Sequence, residues 1–363
     1  MSEPLVEVEL VRVRVPLRQP LRSAHGEEAV RDLVLVRAGL ADGTSGWGEC
    51  SALARPTYTG EHTAGAWAVL LEELVPAALE GRDAGVVGHP MATAALATAR
   101  LDAALRGRGR RLVEHLGAAH GRPRERVAVT AVVGRAEAID DLLALVAEHV
   151  AAGVALVKLK VTPHPADLAA VAAVRAAWPD LPLAVDGNGS LDNRSLSILA
   201  ESDLAYVEQP APAEDLLTSA AMAKRVGVPI ALDESITSLG ALETALTVGA
   251  GSIVNLKPGR VGGLDVAADL ARTAFDAGCG VFVGGMLETG VGRAAAAALA
   301  ALPACTLPTD LGPSSRYVEH ELTEEVEVDA DGHLLVPAGP GIGVTPIPER
   351  LDAVAVDRSL RCR

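Results

Sequence analysis

Two lysines, Lys158 and Lys160 in LVKLK, are followed along the chain by three carboxylates and then by a third lysine. The carboxylates are Asp186 in AVDGN, Glu208 in YVEQP and Asp233 in ALDES, and the last lysine is Lys257 in NLKPG. Three hard oxygen donors with no cysteine or histidine in their segments suit Mg²⁺ or Mn²⁺ rather than zinc, with waters or substrate oxygens completing an octahedron. Lys158 and Lys160 stand at i and i+2 of an apolar run, so on a strand they share one face. Burying two like charges side by side is costly without counter-charge. Each is expected to lower the other's pKa and the metal to lower both, leaving one neutral near pH 7 and able to act as a base.

The chemistry such a set can perform is removal of a proton alpha to a carboxylate. An amine cannot take that proton unaided, so the enediolate needs a strong electrophile, which a divalent metal on the substrate carboxylate supplies. One lysine beside the metal suffices for β-elimination, whereas two on opposite faces permit racemisation. A Schiff-base aldolase with Lys160 or Lys257 as nucleophile is a further reading. A barrel retained only as a scaffold would have lost ligands, and none of this set is missing.

These side chains must be carried by elements that bring distant positions together. From about residue 126 short apolar runs recur, at 126–134, 156–160, 183–188, 204–210, 229–235, 252–259, 280–286 and 304–310. Most gaps between them have helical periodicity, as in ADLAAVAAVRAAW and LLTSAAMAKRVG. Strand and helix alternating at this period mean parallel βα units. In seven of the eight runs a polar or glycine residue comes towards the C-terminal end: Lys160, Asp186, Glu208, Asp233, Lys257, Gly284 and Asp310. A closed barrel gathers the C-terminal ends of its strands at one face, which an open sheet cannot do for all of them. Lys257, four strands beyond Lys160 among eight, should face it across the mouth. Arg260, three residues later, is either a charge that tunes Lys257 or a surface residue of the next loop.

Before the barrel, residues 5–15 and 33–37 alternate with period two and helical patterns cover roughly 60–80 and 91–107, an α+β domain. After it, EVEVDADGHLLVP and GPGIGV read as strand and turn, expected to pack back on that first domain. The expected divisions are 1–124 for the α+β capping domain, 125–322 for the barrel and 323–363 for the returning segment. The segment 21–32 is expected to be a mobile capping loop with a solvated His25.

A net charge of −15 leaves no basic stripe for nucleic acid and repels anionic membranes. The expected partner is a small anionic carboxylate substrate, and the oligomeric state, a homo-oligomer included, is not legible. Cys50, Cys279, Cys305 and Cys362 have no metal-type spacing and suggest no disulfide framework. The N-terminal residues lack the apolar run of a signal peptide, so a cytoplasmic location is expected. Ala294–Ala301 is too short to span a bilayer and reads as a buried helix.

The order KxK, DGN, EQP, DES and K before PG resembles the muconate-lactonising-enzyme subgroup of the enolase superfamily. IVNLKPGRVGGL, GGMLETGVGRA and LPTDLGPSSRY are similar to the o-succinylbenzoate synthase/N-succinylamino acid racemase family, and GWGEC, LDAAL and PGIGV match its capping domain. The resemblance implies an α/β fold, a (β/α)7β modified TIM barrel with an α+β N-terminal cap. It implies Lys160 as base with Lys158 as its neighbour, Lys257 opposite, and Asp186, Glu208 and Asp233 as ligands of Mg²⁺ or Mn²⁺. Asn188 and Glu234 would support the site, and Gly285 and Met286 would line the pocket. The implied activity is dehydration to o-succinylbenzoate in menaquinone biosynthesis, or racemisation of N-succinylamino acids, or both. One departure bears on the substrate: Val132 and Val133 stand where the family's first strand carries a small polar residue.

Overall fold

A computed structural model describes residues 3–23 and 26–363. Strands Leu5–Ser23 (β1), Gly26–Leu40 (β2) and Ser45–Cys50 (β3) form an antiparallel meander. Both faces of β1 and β2 are apolar, and the pleat sorts them. Val8, Leu10, Val34 and Val36 face the helices of the cap, while Val11, Val13, Val15, Leu33 and Leu35 join the barrel's core. Each such fully buried side chain contributes about 1.5–3 kcal/mol, so the sheet is glued to both layers. The helical pattern at 60–80 is interrupted: Thr63–Val69 and Val75–Glu80 flank a π-turn at Leu70–Leu74. Pro76 lacks an N–H, which withdraws one rung from the helical ladder there.

The helix Pro90–Gly107 packs on β3 at very short range. A Cβ on Gly46 would lie 2.1 Å from the Ala103 nitrogen, and one on Gly48 2.0 Å from the Ala95 carbonyl. GWGEC therefore needs both glycines. Asp102 of the LDAAL stretch, buried, accepts from the Trp47 N–H at 2.8 Å, the Ile342 N–H at 2.7 Å and Arg106 Nε at 2.9 Å. The three segments GWGEC, LDAAL and PGIGV thus meet at one carboxylate.

The first apolar run divides. Arg126–Ala128 (β4) is antiparallel to a later strand, and Thr130–Val133 (β5) begins the barrel. Leu156–Lys160 (β6), Leu183–Asp186 (β7), Tyr206–Glu208 (β8), Ile230–Leu232 (β9), Ile253–Leu256 (β10) and Gly280–Val283 (β11) follow in parallel, in sequence order. The eighth run is extended and closes the ring. Leu307 N and Asp310 N donate to Val281 and Val283 on one side, while Thr309 N donates to Ala128 and Thr130 N to Thr309 on the other. Helices are seated by local caps: Asp215 accepts from Thr218 N, Ser238 from Ala241 N, and Gly249 ends its helix at φ 70.

His333–Leu335 (β12) pairs with β4, and Ala355–Cys362 (β13) pairs with β1. The helix Gly290–Ala300 is buried almost throughout, as the alanine run requires. Among the described residues no helix is long and apolar enough to cross a membrane. All four cysteines are free. Of the segment 21–32, the described residues on either side of positions 24 and 25 pair as strands where the sequence suggests a loop: Leu21 faces Glu28 and Arg22 faces Glu27. Arg22 also bonds Glu137 of the barrel at 2.7 Å, an exposed ion pair. His25 lies outside the described residues.

Candidate active site

The barrel register places the carboxylates. Lys160 pairs with Asp186 and Asp186 with Glu208 across adjacent strands, and Asp233 follows the end of β9. All three carboxylates are about 1% exposed. Lys158 and Lys160 share a face, as i and i+2 on a strand must. Lys158, Lys160, Asp186, Glu208, Lys257 and Asp310 line one cleft. Lys160 and Lys257 come from the second and sixth of eight strand positions.

Each carboxylate accepts a lysine. Lys160 Nζ donates to Asp186 at 2.5 Å, Lys158 Nζ to Glu208 at 2.5 Å and Asp310 at 2.6 Å, and Lys257 Nζ to Asp233 at 2.7 Å. Burial by itself would pull Lys158 down, but Asp310 and Glu208 together outweigh it and hold its pKa well above the lysine range. The fold adds to the neighbouring Lys160 two buried carboxylates, Glu208 and Asp310, as the nearest charges of Lys158. Lys257 is likewise raised, burial being outweighed by Asp233 and Tyr58. Glu208 is pushed up to about 8, first by burial and then, against Lys158, by Asp186, Asp310 and Asp233. Asp233 is also buried, yet Arg260 and Lys257 hold its carboxyl well below the usual range.

Arg260 is fully buried, not a surface residue. Its guanidinium bonds Asp233 and the Tyr58 hydroxyl, and it donates to the carbonyls of Ile236 at 3.1 Å and Asn255 at 2.9 Å. Tyr58, from the cap, also accepts from Lys257 Nζ at 3.1 Å. Asn188 accepts from Lys160 at 3.0 Å and donates to Glu234 at 2.9 Å. Gln209 of EQP accepts from the N–H groups of Asp233 and Ser235, fixing the DES segment. Asn188, Gln209 and Leu287 all hold positive φ without being glycine (42, 35 and 53°), strain that concentrates where a site is built.

Gly285 lines the catalytic cleft and, with Met286, a connected cavity under the cap that Leu21, Glu28, Leu53 and Tyr58 also border. Gly284 is needed for packing, since a Cβ there would lie 2.2 Å from Asn255 Oδ1. Val132, paired with Lys158 on the next strand, lines the cleft wall. Three contributors are given no role by the sequence analysis. Asn255, which donates to Glu208 at 2.7 Å, was legible as i−2 to Lys257 on one strand face. Asp310 was visible as a strand end but not as the partner of Lys158. Tyr58 carries no local signal at all.

The donor set fits a hard divalent cation. Asp186, Glu208, Asp233 and Asp310 are buried oxygen donors, the other three near enough to Glu208 to raise its pKa, and Asp310 Oδ1 is buried with no hydrogen-bond partner among the described residues. The upward push on Glu208 by its three neighbours is repulsion that a dication would relieve. A separate cluster, Asp329, Asp331 and His333, lies beside β4, where Arg126 pairs both aspartates at 2.9 Å. It shares no residue with the cleft.

Comparison with known proteins agrees with this architecture. Residues 141–350 match the enolase C-terminal domain-like family. The chain is 42% identical to an N-succinylamino acid racemase of Amycolatopsis sp, covering 96% of both chains. It is 34% identical to the o-succinylbenzoate synthase of Bacillus subtilis, covering 94% of both. A solved enolase-superfamily member from Listeria innocua superposes with a TM-score of 0.91 at 30% identity over 99% of each chain. The chain therefore belongs to the o-succinylbenzoate synthase/N-succinylamino acid racemase family of the enolase superfamily.

Proposed function

We propose that the protein abstracts a proton alpha to a carboxylate with the help of a divalent metal. Its first activity is then o-succinylbenzoate synthase, a dehydration in menaquinone biosynthesis carried out in the cytoplasm. The observation that carries this reading is the opposition of Lys160 and Lys257 within one cleft beside the buried carboxylates. Asp186, Glu208 and Asp233 are the residues to hold Mg²⁺ or Mn²⁺, which when bound would neutralise developing charge on the substrate carboxylate. Lys160, reached by Asn188 and partly open to the cleft, takes the α-proton and returns it to the departing hydroxyl, so that the C–O bond breaks and water leaves. Lys257, kept cationic by Asp233, faces the enediolate from the other side. Val132, Leu21 and Leu287 give the cleft apolar walls that exclude water from the basic lysine.

A second reading, N-succinylamino acid racemase, uses the same residues with Lys257 as the second acid and base. The two facing lysines support it, as does the racemase relative from Amycolatopsis. Assaying both substrates side by side with Mg²⁺ or Mn²⁺ tests the proposal. Turnover of the succinyl-hydroxycyclohexadiene carboxylate that dehydrates to o-succinylbenzoate, of the N-succinylamino acid or of both is expected, and turnover of neither refutes the proposal.

A further inference from the structure

The cap reaches the cleft through more than Tyr58. Gly285, Met286 and Leu287, which follow β11, border the cavity under the cap, and Gly285 and Leu287 also line the catalytic cleft. The last of these is strained. Leu287 holds φ 53°, in the left-handed region where a leucine Cβ is crowded by the following carbonyl oxygen. Such a conformation persists only where surrounding contacts impose it. Within the loop, Glu288 accepts from the Met286 N–H, which closes a turn around Leu287 without holding its carbonyl.

That carbonyl is met from the cap by Arg31. This residue of β2 is fully buried, and its guanidinium joins separate parts of the chain. Nε donates to the Leu287 carbonyl at 3.3 Å, Nη2 to the carbonyls of Ser51 at 2.7 Å and Ala52 at 3.4 Å, and Nη1 to Glu28 at 3.2 Å. A rigid fork of five N–H groups serves acceptors spread in this way, whereas a lysine ammonium offers one point charge. Glu49 works on the same loop from β3. Its carboxylate accepts from Thr289 N at 3.1 Å, Thr289 Oγ1 at 2.6 Å, Gly292 N at 3.0 Å and Ser51 Oγ at 2.7 Å. Opposite charges on neighbouring cap strands thus clamp residues 51–52 to residues 287–292 of the barrel.

We propose that Arg31 is a positioning residue of the cleft. By holding the Leu287 carbonyl it keeps that residue in its left-handed turn, and so keeps Gly285 and Leu287 as the wall against which substrate is seated. The kinetic consequence rests on the proposed proton abstraction. Substrate binding weakens when Arg31 is lost, while the lysines and carboxylates of the cleft, none of which bonds Arg31 among the described residues, keep their chemistry.

The test pairs steady-state kinetics, with Mg²⁺ and whichever proposed substrate wild type turns over, with backbone hydrogen–deuterium exchange read by mass spectrometry. Arg31→Lys should raise KM about tenfold and leave kcat within about threefold, since the wall moves and the lysines do not. Exchange in peptides covering 284–292 should quicken about tenfold while peptides of β6 keep the wild-type rate. Glu49→Gln, which loosens the same loop from β3, should give this pattern more weakly and serves if Arg31→Lys does not fold. The decisive comparison uses Leu287→Asn, because asparagine tolerates the left-handed backbone. Added to that variant, Arg31→Lys should raise KM less than about threefold. An unchanged KM, a fall in kcat alone, exchange that rises equally in β6, or the same KM effect in both backgrounds overturns the proposal. Wild type that turns over neither substrate refutes the proposed activity, and the exchange pattern then decides the role of Arg31 by itself.

Discussion

Lys158→Met separates the two lysines of β6 by role. Lys158 is buried, 2.5 and 2.6 Å from Glu208 and Asp310, and its ammonium lies 5.0 Å from the Phe282 ring centroid. Methionine keeps the stem and removes the charge, leaving two carboxylates facing one another. Breaking a buried ion pair costs about 3–5 kcal/mol. For a chain of this size that is roughly 6–10 °C in Tm, taking about 2 °C per kcal/mol. The loss should grow from pH 5 to pH 8, because protonation of Glu208 and Asp310 relieves it at the acid end. Adding Asp310→Asn should recover part of it, since one of the stranded charges is gone. Differential scanning calorimetry on the single and double variants reads all three effects. A single variant that melts within 2 °C of wild type at pH 8 yet is inactive would refute the reasoning, making Lys158 a participant in chemistry rather than the counter-charge of the carboxylates.

The same carboxylates set a pH dependence. A carboxyl whose pKa is raised in the folded protein, as Glu208's is to about 8, keeps a proton that the unfolded chain releases near 4.5. Its stabilising contribution is full below that point and is lost as pH rises through 8. With chelator present, Tm should fall between pH 5 and 8, and saturating Mg²⁺ should flatten or reverse the trend; a metal-free Tm that rises over this window would contradict it. Glu208→Gln should weaken Mn²⁺ binding by at least 100-fold in titration calorimetry, and unchanged affinity would remove Glu208 from the ligand set. Gly284→Ala places a Cβ against Asn255 and should displace its bond to Glu208. About tenfold weaker Mn²⁺ binding is expected, the scale of losing a residue that orients a metal ligand, and wild-type affinity would show that Asn255 does not orient Glu208.

Much of this site was legible because a parallel barrel repeats one unit. The strand-end residues Lys160, Asp186, Glu208, Asp233 and Lys257 announce themselves by following apolar runs at a regular period, and one barrel face collects them. What failed was information held in other layers. The tail's pairing splits the run at 126–134, so β4 leaves the barrel for β12. The segment 21–32 reads as a loop in the sequence, whereas cross-strand pairing of Leu21 with Glu28 and Arg22 with Glu27 extends β1 and β2 into it. Arg260 was left undecided, because only the fold reveals that the short helix after Lys257 turns its guanidinium inward onto Asp233. Tyr58 reaches Lys257 across 199 residues, from a different domain, and no local pattern encodes that contact.

The central claim is that Lys160 and Lys257 flank one acidic carbon from opposite sides. It is tested most directly by following α-proton exchange in deuterium oxide, with Mg²⁺, on each enantiomer of an N-succinylamino acid. Wild type should exchange both. Lys160→Met should lose exchange on one enantiomer and Lys257→Met on the other, while chelation of the metal abolishes all of it. Exchange of both enantiomers surviving in either lysine variant, or persisting without metal, would contradict the account.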